Sequence, residues 1–220
     1  MRPDPLILAF DTSAAHCAAA LLRGDRVLAA RDEAMDKGQA ERLMPMLEEM
    51  LAGAGLGWRD LDAVAAGTGP GNFTGVRLSV AAARGLALSL GIPAVGVTAL
   101  EAAGFGLPRP VLAALDARRG GVYLQLFGPD DAPPAVLADL GALPAWAFEA
   151  SAVAGDGADR TAALIRRPVA RQPVPRAVAM AHLAAGQLAA THSAIPRPAP
   201  VYLRAADAAP PRDPPPELLT

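Results

Sequence analysis

Apolar positions follow two rhythms along this chain. Leu6 to Phe10 is an unbroken apolar run that ends in Asp11-Thr12-Ser13. His16 to Leu22 follows, then a turn at Gly24-Asp25 and a third run from Val27. Short runs broken by turn residues predict three strands in an antiparallel meander. From Gln39 the rhythm changes: Leu43, Leu47, Met50 and Ala54 recur at three and four residues, the stripe of an amphipathic helix. Pro45 is expected near its first turn, where proline is tolerated, and Gly53, Gly55 and Gly57 end it. Leu61–Gly67 predicts a buried strand, Thr74–Leu90 a helix, and the apolar run ending at Val97 another strand. Thr98 is placed to cap a helix through Phe105. The order β-β-β-α-β-α-β-α implies a mixed sheet with helices packed on it.

A second series starts near Pro110. Val111–Phe127 reads as strand, turn, strand, with Arg118-Arg119-Gly120-Gly121 at the bend. Residues 128–176 are proline-rich and give no clear assignment. Ala177–Ala190 predicts a helix, and Pro198–Arg204 one more strand. Both series open with an apolar strand that ends in aspartate, Asp11 and Asp116, which hints at a duplicated fold. The division expected is a first subdomain over 1–106, a second over 107–206 with a C-terminal helix that crosses back, and a flexible tail over 207–220.

Composition narrows the function. Hydrophobic residues make up 52% of 220, enough for a substantial core. No apolar run has the ~18–20 residues of a membrane span, and the N-terminus lacks a cleavage pattern, so a cytoplasmic protein is expected. The single cysteine, Cys17, excludes an internal disulfide. It lies inside an apolar strand, which suits a buried small residue better than a nucleophile. A net charge of −2 argues against unaided binding of nucleic acid.

Two stretches raise chemical possibilities. Gly69, Gly71 and Gly75 could turn backbone N–H groups toward an anion at a helix start. They could equally make a tight strand-to-helix turn. The stretch is not a Walker loop: no lysine lies near it. Asp11 could hold a metal through water or serve as a turn acid. His16, His182 and His192 are too scattered for a metal site, and no nucleophile–base pair is evident. The helices are more informative. On the second, Val76, Val80, Ala83 and Leu90 form one apolar side, and Leu78, Ala81, Ala82 and Gly85 another. Two sides suggest a second packing partner. Arg77/Arg84 and, on the first helix, Glu41/Glu48 would border it. Leu43, Leu47, Met50 and Leu51, with Met44 and Met46, would supply the apolar contact. An ordinary pair of core helices reads the same positions equally well. From Arg160 to Ala206 seven arginines occur without an acid, among them Arg166, Arg167, Arg171 and Arg176. They could face RNA phosphates or simply solvent.

The stretches ILAFDTS, ERLMPMLEEML, GTGPGNFTGVRLSVAAARGLAL, GVTALEA, LAALDARRGGVYLQLF and PVYLR resemble, in order and spacing, the TsaB (YeaZ) family over residues 6 to about 206. The resemblance implies an α/β, actin-like and Hsp70-like sugar-kinase fold of two related subdomains, each a mixed sheet with packed helices. It implies a non-catalytic subunit for making N6-threonylcarbamoyladenosine at position 37 of tRNAs that read ANN codons. The expected partners are the catalytic paralogue TsaD and the ATPase TsaE, with a homodimer when alone and tRNA contact only within the complex. No cofactor of its own is expected, beyond weak nucleotide at the shared interface. Asp11, Thr12, Ser13, Gly69, Gly71, Asn72, Thr74 and Gly75 would then be the remnant of a nucleotide loop. The 40–54 and 74–90 helices, through Glu41, Leu43, Leu47, Glu48, Met50, Leu51, Val76, Arg77, Val80, Ala83 and Arg84, would meet the partner. Gln39 stands where many members have histidine, Asn72 where serine is commoner, and the paralogue's H-x-x-x-H metal ligands are missing. The rival expectations are a metal-independent hydrolase and a free-standing ATPase of the same fold.

Overall fold

The structure, a computed structural model, describes residues 4–128, 133–191 and 195–204. Strand β1 (Leu6–Asp11) is buried along its whole length. It lies mid-sheet, antiparallel to β2 (His16–Arg23) and parallel to β4 (Ala63–Gly67). The edges are β3 (Arg26–Ala34) and β5 (Ala94–Val97), giving the order β3-β2-β1-β4-β5. Leu6, Leu8 and Phe10 face one side with Cys17, Ala19, Leu21, Val64 and Ala66. Ile7 and Ala9 face the other with Ala18, Ala20, Ala63 and Val97. Both faces are covered by helices, which is why β1 reads as a continuous apolar run instead of an alternation. β3 lies at the edge, and its charged, solvent-exposed positions discourage pairing with another sheet.

Helix α1 (Gln39–Gly53) buries Leu43, Met46, Leu47, Met50 and Leu51 on the first face. Pro45 lies inside it, in the second turn and not the first as the stripe suggests. Proline has no N–H for the carbonyl four residues back, so the apolar packing of this helix holds it together at that point. Helix α2 (Phe73–Leu90) lies on the same face. Asn72 caps it, its Oδ1 accepting from the Thr74 and Gly75 amides at 3.0 and 3.1 Å, and Gly91 ends it in a left-handed conformation. Helix α3 (Ala99–Gly104) opens with a capping box between Thr98 and Glu101.

The second sheet repeats the plan. β6 (Val111–Asp116) pairs antiparallel with β7 (Gly121–Phe127) and parallel with β9 (Ala152–Ala154), and β8 (Val136–Asp139) forms the far edge. The sheet order β8-β7-β6-β9 thus matches β3-β2-β1-β4, the arrangement of the actin-like, Hsp70-like sugar-kinase fold. The proline-rich region without clear assignment contains β8, β9, one short 3-10 helix at Ala145–Glu149, and helix α4 (Ala158–Ile165). α4 packs on the outer face of this sheet.

The two halves interlock. Helix α5 (Arg176–Ala190), from the second half, covers the second face of the first sheet. α3, from the first half, lays Ala99, Leu100 and Ala103 against β6 and β7. Residues 198–204 are not a strand: they run as irregular chain, with the Val201 N–H bonded to the Thr68 carbonyl at 2.8 Å. The expected tail over 207–220 lies outside the described residues. No helix among those described is long and apolar enough to cross a membrane.

Candidate functional site

Because β1 and β6 each occupy the centre of a sheet, their C-terminal ends and following turns meet at one cleft. It encloses about 510 Å³ and is lined by Ser13–Ala15, Pro70–Phe73, Leu115–Arg119, Tyr123, Asp156, Arg176 and Arg204.

Asp11 lies fully buried beneath this cleft, behind Ser13, and does not line it. One carboxylate oxygen accepts the Ser13 N–H at 2.9 Å; the other takes the Ser13 hydroxyl at 3.0 Å and lies 3.2 Å from His16 Nε2. Arg176 approaches to 3.7 Å. Burial alone would raise this carboxyl's pKa, but the His16 contact, the Arg176 charge and the Ser13 amide outweigh it and hold the pKa at about 2. Thr12 ties β1 to α2: its N–H donates to Ser79 Oγ at 2.9 Å and its hydroxyl to the Gly75 carbonyl at 2.7 Å.

The glycines of the 67–75 loop have a steric reason. A Cβ at Gly71 would overlap the Ser13 carbonyl, one at Gly75 the Thr12 carbonyl, and one at Gly67 the Asp11 carboxylate. Gly69 has a φ of 84°. The loop closes directly on the Asp11-Thr12-Ser13 turn, with the Asn72 N–H bonded to the Ser13 carbonyl at 2.6 Å. The Thr74 and Gly75 amides, in the first turn of α2, go to the Asn72 side chain.

The opposite wall is built from the matching β6 turn. The Asp116 N–H donates to Asp156 at 2.8 Å, and the Asp116 carboxylate accepts the Arg118 N–H at 3.2 Å. Arg176 spans the cleft, 3.7 Å from Asp11 and 3.4 Å from Asp156. Arg204 donates to the Ala117 carbonyl at 2.6 Å. Arg118 and Arg119 are exposed on left-handed backbone, with φ of 60° and 49°. Among the described residues no cluster of His, Cys, Asp and Glu could hold a metal ion. His182 stacks on Phe105, His192 lies outside the described residues, and burial pushes the Cys17 thiol up to about 11.

The two helices require a correction. Leu43, Leu47, Met50, Leu51, Val76, Val80 and Ala83 are core residues, none more than 4% exposed, and cannot meet a partner. Of the second apolar side of α2, Leu78 and Ala82 pack against the same core, while Ala81 and Gly85 are exposed. Glu41, Glu48, Arg77 and Arg84 do face solvent. Met44 stands with them in a groove between α1 and α2 lined also by Pro45, Trp58 and Leu86, and Leu88, 86% exposed, lies on α2 outside that groove. The arginine series also divides. Arg160, Arg166, Arg167 and Arg171 are exposed, Arg160 lying 3.7 Å from Asp116. Arg167 is bonded to the Ala150 and Phe148 carbonyls, and Arg176 belongs to the cleft; neither is a free surface cation.

Ser79, Asp156 and the pair Phe73 and Tyr202 escaped the sequence reading. Ser79 did leave a signal, a polar residue between the core positions Val76 and Val80. Tyr202 left none, because its neighbours come from distant parts of the chain.

Known proteins resemble this chain in both sequence and structure. The TsaD family, tRNA N6-adenosine threonylcarbamoyltransferase, matches residues 33–131. The tRNA threonylcarbamoyladenosine biosynthesis protein TsaB of Haemophilus influenzae is 42% identical over 125 residues, 54% of this chain and 52% of that protein. The chain thus spans about half the length of the curated TsaB relatives it matches. An uncharacterised protein of Mycobacterium tuberculosis is 37% identical over 213 residues, 93% of this chain and 94% of its own. The solved structure of YeaZ from Pseudomonas aeruginosa superposes with a TM-score of 0.75 at 30% identity, over 90% of this chain and 100% of that one. That likeness covers the whole of the solved protein, both sheets included, and on it the chain belongs to the TsaB (YeaZ) family.

Proposed function

We propose that this chain is a non-catalytic subunit of the assembly that makes N6-threonylcarbamoyladenosine in tRNA, working beside a TsaD-like paralogue and a TsaE-like ATPase. Kinship with proteins named for that biosynthesis supports the pathway. The observation that carries the non-catalytic part is that the acid beneath the cleft is buried and engaged. Asp11 spends its carboxylate on Ser13, His16 and Arg176, and the amides of Asn72, Thr74 and Gly75 are taken by the Ser13 carbonyl and the Asn72 side chain. A phosphoryl-transfer site needs such groups turned toward the nucleotide and its metal.

The partner face in this reading is the outer side of α1 and α2. Leu88 and Met44 are the apolar anchors, the groove beside Trp58 receives a partner side chain, and Glu41, Glu48 and Arg84 form the charged border. Burying such anchors supplies most of the affinity, while border charges set register.

An omit-one reconstitution tests the role. Threonylcarbamoyladenosine in tRNA is measured by mass spectrometry with this chain, the paralogue and the ATPase together, and with each left out. Product that requires this chain, none from this chain alone, and loss of both product and association in Leu88→Glu are expected. Full product without this chain, or ATP turnover by this chain alone that vanishes in Asp11→Ala, would refute the proposal.

A further inference from the structure

The mouth of the cleft carries a cluster that the scaffold role does not use. Phe73 and Tyr202 are 53% and 48% exposed, with ring centroids 5.3 Å apart and planes inclined at 34°. Arg77 holds them: its guanidinium carbon lies 3.7 Å from the Phe73 centroid, and its Nε donates to the Tyr202 hydroxyl at 2.9 Å. Across the cleft stand Arg118 and Arg119. Among the described residues no carboxylate side chain pairs with Arg77, Arg118 or Arg119, whereas the cleft acids Asp116 and Asp156 each have an arginine within 4 Å. On a chain of net charge −2 the cleft thus sets an aromatic pair held by a cation opposite two cations that have no acid partner among the described residues.

We propose that this mouth seats an unpaired nucleotide of an RNA strand, its base stacked on Phe73 and Tyr202 and its phosphate on Arg118 and Arg119. The proposal rests on the reading that the chain serves a tRNA-modifying assembly, and adds where on this subunit the RNA lies. The chemistry follows from the parts. A base stacks on any aromatic ring whatever its identity, and arginines take the backbone charge. Arg77 already covers one face of the Phe73 ring, which leaves the other face for a base and fixes the ring before the base arrives, so little side-chain freedom is lost on binding. A base inside a duplex has both faces covered and cannot use the platform. A free nucleoside triphosphate with its metal is a poorer fit, because Asp11, the carboxylate beneath the cleft, is buried out of reach and already engaged.

The test uses the full chain alone, with a fluorescein-labelled ten-nucleotide single-stranded RNA at ~50 mM salt, read by fluorescence anisotropy. Wild type is expected to bind, and a duplex of the same sequence at least tenfold more weakly. Phe73→Ala and Tyr202→Ala should each weaken binding on the order of tenfold. Tyr202→Phe, which keeps the ring and loses only the hydroxyl that Arg77 holds, should weaken binding clearly less than Tyr202→Ala. Arg118→Ala and Arg119→Ala should each lower the slope of log K against log salt by about 0.7. Arg26→Ala, at the opposite end of the first sheet, should leave affinity and slope unchanged. Because both rings are half exposed, loss of fold in their variants is not expected, and circular dichroism checks this. Equal binding of duplex and single strand, unchanged affinity in both ring variants, or no binding by wild type below ~100 μM would overturn the proposal. Displacement by micromolar AMP would assign the mouth to a free nucleotide, and displacement by an equal concentration of polyglutamate peptide to an acidic protein segment; either overturns it. The reconstitution separates the two ideas. If the chain supports tRNA modification but binds no RNA, only the platform fails; if modification proceeds fully without the chain, the functional reading fails by itself.

Discussion

Truncation of Leu47 to alanine separates the two meanings that an apolar helix position can have. Leu47 is fully buried between α1 and the first sheet, beside Leu43, Met46 and Phe10. Leu47→Ala removes three carbon atoms, a transfer loss of about 2.4 kcal/mol at ~0.8 kcal/mol each. The cavity left behind adds to this, because the surrounding strands relax only in part, so the total falls at about 3–5 kcal/mol. Leu88 has the same side chain on the neighbouring helix but is 86% exposed. Its truncation removes almost no burial and should change stability by less than about 0.5 kcal/mol. Urea unfolding followed by circular dichroism reads both. With a slope of roughly 2–3 kcal/mol per molar, Leu47→Ala should lower the midpoint by about 1–2 M and Leu88→Ala by no more than about 0.2 M. If Leu47→Ala left the midpoint in place while Leu88→Ala lowered it, the orientation of both helices would be wrong, and the proposed partner face with it.

Further outcomes follow from the cleft and its glycines. The Asp11 pKa is depressed from 3.8 to about 2, so its stabilisation is fully present above about pH 4 and is lost as pH falls through about 2. The shift corresponds to about 2 kcal/mol. Asp11→Asn should therefore flatten the fall in unfolding free energy between pH 4 and 2, and a slope equal to wild type would count against the engaged carboxylate. Gly75→Ala drives a Cβ into the Thr12 carbonyl and should destabilise by at least about 1–3 kcal/mol, whereas Gly85→Ala on the open face of α2 meets nothing and should stabilise by about 0.5–1 kcal/mol. Thermal melts that rank the two glycines the other way would contradict the loop packing.

Much of the fold was legible along the chain. The Leu6–Phe10 run, too apolar for a one-sided strand, belongs in mid-sheet. Thr98 and Glu101 close a capping box that local spacing alone predicts. The paired aspartates at the ends of β1 and β6 announced the duplication, and the ordered motifs announced the family. These features depend on neighbours a few residues apart, so a linear reading reaches them.

Orientation and long-range pairing required the folded chain. Helix α2 is so rich in alanine and glycine that its sides differ little in polarity. Nothing in its spacing could say that Val76, Val80 and Ala83 face the sheet while Leu88 faces water. Pro45 shows the same limit: its local preference for a first turn yielded to the packing of Leu43 and Leu47 around it. Arg167 and Arg176 looked like their exposed neighbours until the fold brought one to backbone carbonyls and the other to Asp11. Tyr202 meets Phe73 and Arg77 only because α5 returns to the first sheet and carries the last described residues back across the cleft. Periodicity records contrast between the faces of one element; which face meets which partner is decided by packing between elements far apart in sequence.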